Sequence, residues 1–108
     1  MTNKNENFHK ECLAFMHEVG LVTDNNITYY SPLLGQEEWF VIIWQKSDIR
    51  VINDVYISDN DCDVCTTDAL SVKTFKEFKE KLTFAIEMSK KLTVQLRKEA
   101  INKDFKND

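Results

Sequence analysis

Six consecutive apolar residues, Trp39-Phe40-Val41-Ile42-Ile43-Trp44, constrain this chain more than any other stretch. They sit within EEWFVIIWQKSDIRVINDVYI (37–57), which reads as two β-strands joined by a tight polar turn at Lys46-Ser47. Side chains alternate along a strand, so Trp39, Val41 and Ile43 face one way and Phe40, Ile42 and Trp44 the other. A small sheet with one buried side needs only one of these sets, and something must cover the second. The following strand, 48–57, puts Ile49, Val51, Val55 and Ile57 on one face and Arg50, Ile52, Asp54 and Tyr56 on the other. A turn of even length sets Trp44 opposite Ile49. Phe40, Ile42 and Trp44 then share the core face, and Trp39, Val41, Ile43, Ile52 and Tyr56 point outward. A three-residue turn exchanges the two sets, because a one-residue slip in register flips every side chain.

Two helices flank this hairpin. Phe8, Cys12, Phe15, Met16 and Val19 recur at the spacing of one helical face, which predicts a helix over about 4–19, closed by Gly20 as a left-handed C-cap. Thr74-Phe75-Lys76-Glu77 has the spacing of a capping box. Phe75, Phe78, Leu82, Ala85, Ser89, Leu92 and Leu96 follow at steps of three and four, with no Gly or Pro to stop a helix before about residue 103. Such a helix outruns any eight-residue strand it could cover. A second stripe, Phe84 and Met88 followed by Val94, Ile101 and Phe105, also needs a partner. Between the helices, 27–31 is a short strand, 32–36 a turn around Pro32 and Gly35, and 61–67 a fourth strand or a loop. The expected fold is α+β: an antiparallel meander of three or four strands between an N-terminal helix and a long C-terminal one, as a single domain over 1–108.

Charge is unevenly distributed. The net charge is −4. Residues 1–72 hold 4 basic and 12 acidic side chains, and residues 73–108 hold 10 basic and 6 acidic. No Lys or Arg stands between Arg50 and Lys73, where there are five Asp. No stretch reaches the roughly 18 apolar residues of a membrane span. The polar start lacks the apolar run of a signal peptide. Three cysteines are too few for a disulfide framework, so a cytoplasmic location with reduced thiols is expected.

Catalytic signatures are absent. Two glycines exclude a phosphate-binding loop and a dinucleotide fingerprint. Cys62-x-x-Cys65 is flanked by Asp61, Asp63 and Asp68, which oppose the thiolate that redox chemistry requires. With His9 and Cys12 it has the composition of a Cys₃His zinc set, but Cys12 lies on the apolar stripe of its helix, and buried structural thiols are the simpler reading. Asp59, Asp61 and Asp63 imitate the start of a calcium loop. The match then fails, with Val64 where a glycine and Leu70 where a glutamate is required. Glu37-Glu38 reads as a solvated strand start. The basic residues of the last helix interleave with Glu77, Glu80, Glu87 and Glu99, which favours a solvated face over a nucleic-acid surface.

The sequence therefore predicts a non-enzymatic, protein-binding module with no cofactor, no bound metal and no membrane association. Its concrete form is an inhibitor, or an immunity or anti-defence-type protein of the kind carried on mobile elements. In that form Trp39, Tyr56, Asp59, Asp61 and Asp63 occlude a partner with a basic surface. Homodimerisation through the two-faced strand or the second helical stripe is expected. The alternatives are a zinc- or nucleic-acid-binding regulator and a small-ligand module on the second sheet face.

Overall fold

The periodic apolar residues of the first segment do form a helix, and glycine ends it as the spacing demands. A computed structural model describes the backbone of residues 3–45, 48–58 and 63–106, and within these ranges the side chains of 6–98. Helix α1 is Asn3–Glu18. Gly20 has φ +88°. The amide of Leu21 donates to the Met16 carbonyl (2.9 Å) and that of Gly20 to His17 (3.2 Å), the paired bonds of a Schellman cap. Then follow β1 (Val22–Thr23), β2 (Thr28–Tyr30), β3 (Trp39–Gln45), β4 (Asp48–Ile52), β5 (Val55–Ile57), β6 (Val64–Thr66), β7 (Ala69–Ser71) and α2 (Phe75–Lys106). At the start of α2 the Thr74 hydroxyl accepts from the Glu77 amide (3.1 Å), while the Glu77 carboxylate accepts from Lys73 (3.0 Å), one residue earlier than an ideal capping box.

The main sheet is antiparallel and five-stranded, in the order β1-β2-β3-β4-β7, so the fold is α+β. Strand β1 was not foreseen. It is two residues long and depends on a side-chain-built turn. Asn25 Oδ1 accepts from the amides of Ile27 and Thr28, both at 2.8 Å, and Thr23 Oγ1 accepts from Asn26 at 2.9 Å.

The expectation of one strand over 48–57 is corrected. Pairing of this segment with 64–71 keeps the same register throughout, with Ile52 opposite Ala69 and Val55 opposite Thr66. The ribbon breaks at 53–54 and 67–68, and its far part, β5–β6, forms a separate two-stranded sheet. The corner is held by polar groups: the Asp54 amide donates to Thr67 Oγ1 (2.8 Å), Thr67 Oγ1 to the Asp54 carbonyl (3.1 Å), and the Asn53 amide to the Asp68 carbonyl (3.2 Å). Within the stretch that reads as a fourth strand or a loop, Val64–Thr66 form β6.

Two bulges decide the faces of β3. Against β4, Ile43 opposes Ile49 and Gln45 opposes Asp48, which leaves Trp44 as the extra residue. Ile43, Ile49, Val41 and Val51 are thereby all buried, and Trp44 is 66% exposed. Against β2 the register shifts across Phe40, so the neighbours Phe40 and Val41 are both fully buried despite the alternation of a regular strand. On β3 the outcome is the exchanged set of faces except at Phe40, which the bulge against β2 keeps in the core. Trp39, expected to stand outward, is half-buried and packs against the core, and Trp44 is the outward tryptophan.

Both helices contribute to one apolar cluster with the sheet: Cys12, Phe15 and Met16 from α1 and Phe78, Leu82 and Ala85 from α2. The helices meet through Phe15, whose ring stands edge-on to Phe75 (6.1 Å) and Phe78 (6.3 Å). Ser89 is the buried polar residue of this helix face, and its hydroxyl donates to the Ile86 carbonyl at 2.8 Å. Helix α2 spans 32 residues, about 48 Å at 1.5 Å per residue. The molecule is correspondingly long, 67 × 24 × 23 Å, with a radius of gyration of 16.0 Å against about 13 Å for a compact chain of this length.

Candidate functional site

Where α2 runs past the sheet, it forms one wall of a cleft. The other walls are the 33–38 loop and the start of β6. The cleft has a volume of about 500 Å³ and is lined by Leu33, Leu34, Glu37, Glu38, Asp63, Val64, Cys65, Thr93 and Leu96, among others.

Local chemistry places the loop. Ser31 accepts from Leu34 (3.1 Å) and Gly35 (3.0 Å) through its carbonyl and from Leu33 (3.2 Å) through its hydroxyl. Gly35 then turns with φ +98°, a conformation costly for any residue with a Cβ. The Glu38 amide donates to the Gly35 carbonyl (3.2 Å) and closes the loop. Glu38 Oε2 accepts from both the amide (2.8 Å) and the hydroxyl (3.1 Å) of Thr66, 28 residues away. One carboxylate thus fastens the loop to the β5–β6 ribbon. The reading of Glu37-Glu38 as a plain solvated strand start is corrected for Glu38.

Cys65 lines the same cleft near Glu38 and Asp63. Burial first, then the charges of Glu38 and Asp63 and a hydrogen bond to Glu38, raise its thiol pKa above the ordinary value. A protonated thiol is a poor nucleophile, so the site lacks the activation that covalent or redox chemistry at Cys65 would need. Cys12 is fully buried, and burial followed by the charge of Glu11 pushes its pKa up to about 12. It behaves as a small core hydrophobe. Among the described residues no three His, Cys, Asp or Glu side chains are grouped to hold a metal ion. Cys62 lies outside the described residues, and His9 is half-buried on α1.

The residues singled out from the sequence divide as follows. Tyr56 is 48% exposed and pairs across the ribbon with Cys65. Asp63 is exposed on the same ribbon and lines the cleft. Asp59 and Asp61 lie outside the described residues. Trp39 belongs to the core edge. Sequence reasoning missed Leu33, Leu34, Glu37, Glu38 and Leu96 as parts of one site. The available signal was the pair of glutamates directly after a glycine turn.

A smaller recess of about 220 Å³ lies on the outer sheet face, lined by Ile42, Trp44, Asp48 and Arg50. Arg50 donates to both Asp48 carboxylate oxygens (3.1 and 3.3 Å). These bonds, with the Arg50 charge and Ser71, hold the Asp48 pKa below the usual carboxylate range against an opposing desolvation.

No helix among the described residues is long and apolar enough to cross a membrane. Compared with family models, with curated proteins and with solved structures, the chain matches none.

Proposed function

We propose that the protein is a non-catalytic binding module whose partner is another protein, and that the cleft receives a basic, partly apolar segment of it. The observation that carries this reading is the lining of the cleft. Glu37, Glu38 and Asp63 supply negative charge, Leu33, Leu34 and Leu96 supply apolar contact, and among the described residues no lysine or arginine lines it. A lysine or arginine stem buries its methylenes against leucine while its charged head meets carboxylates. Tyr56, exposed on the adjoining ribbon, has the character of an interface anchor. Asp59 and Asp61 precede Asp63 in sequence and extend the acidic charge that would steer a basic partner. In its most concrete form the protein is an inhibitor or immunity-type partner that occludes a basic surface.

Selection from a displayed random-peptide library tests this. Sequences with Lys or Arg beside an apolar residue should be enriched, and binding should weaken with salt, because exposed charge pairs are screened over about 8 Å at physiological ionic strength. Glu37→Gln with Asp63→Asn should abolish the enrichment. Enrichment without basic residues, or binding indifferent to both salt and the double substitution, would defeat the reading. Metal analysis and a DNA mobility-shift assay on the same preparation distinguish the zinc and nucleic-acid regulators.

A further inference from the structure

We propose that the segment received by the cleft is residues 90–98 of α2 from a second copy of this chain, in a reciprocal two-fold dimer. The inference rests on the reading of the cleft given above and names its occupant.

The first ground is charge. Between Met88 and Glu99, α2 carries Lys90, Lys91, Arg97 and Lys98 and no acidic residue. Four cations on one segment match three carboxylates in one cleft. The second ground is that half of this charge faces away from the cleft of its own molecule. Thr93 and Leu96 form the cleft wall, whereas Lys90, Lys91, Val94 and Lys98 line a groove elsewhere on the helix. At 100° per residue, Val94 and Lys98 lie about opposite Leu96. Helix geometry therefore turns Lys91 and Lys98 away from their own cleft, while Lys90 and Arg97, about 60° and 40° from Thr93, flank its wall; among the described residues no ion pair joins any of them to it.

The third ground is apolar. Val94 is 49% exposed at the centre of the basic segment, and Leu33, at the cleft, is 40% exposed. The fourth is shape. The molecule is 67 Å long and 24 Å wide, and α2 is its longest element, 32 residues. With two α2 helices antiparallel about a two-fold axis, the outer face of each overhang lies on the body of the other. One operation then fills both clefts and covers both overhangs. Isologous contacts of this kind close, and they are the commonest arrangement of soluble oligomers.

Complementary charge reversal provides the test. One variant carries Lys90→Glu, Lys91→Glu and Lys98→Glu, and the other carries Glu37→Lys and Asp63→Lys. Wild type should scatter light at micromolar concentration with twice the 12.7 kDa chain mass. Each variant alone should be monomeric, with unchanged circular dichroism. Mixed, they should form a heterodimer, since every reversed helix then meets a reversed cleft and every native helix a native one. Should a reversal unfold the chain, Lys98→Gln and Asp63→Asn replace it, and both should weaken the dimer. A monomeric wild type overturns the proposal, as does a dimer indifferent to both variants or a mixture that stays monomeric. If wild type is monomeric yet the peptide selection still enriches basic sequences, self-docking fails while the reading of the cleft stands. If both experiments fail, the cleft is not a docking site.

Discussion

Helix α2 contains two segments that the sequence writes in one continuous pattern and the fold treats in opposite ways. In the first, 75–89, Phe78, Leu82, Ala85 and Ser89 are all at most 1% exposed. In the second, 90–98, Leu92 and Leu96 continue the same spacing but are only half-buried, and Val94 faces outward. The periodicity is equal, so it does not produce the difference. The sheet ends, and a helical stripe is buried only as far as there is something to cover it. The lesson is that hydrophobic spacing reports an intention to pack, while the length of the partner surface decides how much of it is packed within one molecule.

The largest test of that contrast is truncation in the first segment. Phe78→Ala and Leu82→Ala should each cost about 2–5 kcal/mol in urea unfolding, from lost transfer energy plus cavity. Losses below about 1 kcal/mol at both sites would erase the contrast.

An effect seen at alkaline pH comes next. The Cys12 thiol has an ordinary pKa of 9.0 that the fold raises to about 12. Below pH 9 both folded and unfolded thiols are protonated, and the contribution is intact. Between pH 9 and about 12 the unfolded chain releases this proton and the folded chain retains it, so stability falls as pH rises. Melting temperature followed from pH 8 upward should drop less steeply for Cys12→Ala than for wild type. Parallel slopes would mean that Cys12 is not held neutral by the packed half.

Smaller still is the cap. Thr74→Ala should cost about 1 kcal/mol, since the Glu77 amide loses its acceptor. The least effect belongs to the second segment. Val94→Ala, measured at dilutions where the chain is monomeric, should fall within about 0.5 kcal/mol of wild type. A larger loss would show that the overhang is packed within its own molecule after all.

Much of the architecture was legible because its causes are local. The stripe through Cys12 and Met16, the glycine cap and the Thr74 start all arise within a few residues of where they act. The break at Asn53-Asp54 was not legible, because the groups that hold it, on Asp54 and Thr67, are 13 residues apart. Nor was the choice between the faces of β3. The tryptophan that turns outward is set by which residue the ladder skips, and the run from Trp39 to Trp44 is equally apolar in either register. The site was half legible. Tyr56 and Asp63 were named from composition and turn chemistry. The cleft itself is made by Leu33, Glu38, Asp63 and Leu96, which only the closed fold brings together.

The skipped residue also makes the molecule optically legible. Its two tryptophans stand five positions apart on one strand yet occupy unlike surroundings. Trp39 is half-buried against the core, and Trp44 is 66% exposed beside Arg50 and Asp48. Their fluorescence should resolve into a bluer, quencher-shielded component and a redder one open to iodide. Trp44→Phe would leave an emission that follows only the integrity of the core. Trp39→Phe would leave one that answers to whatever settles on the outer sheet. Without any added dye, the strand that was hardest to orient from its sequence carries separate lamps for folding and for contact.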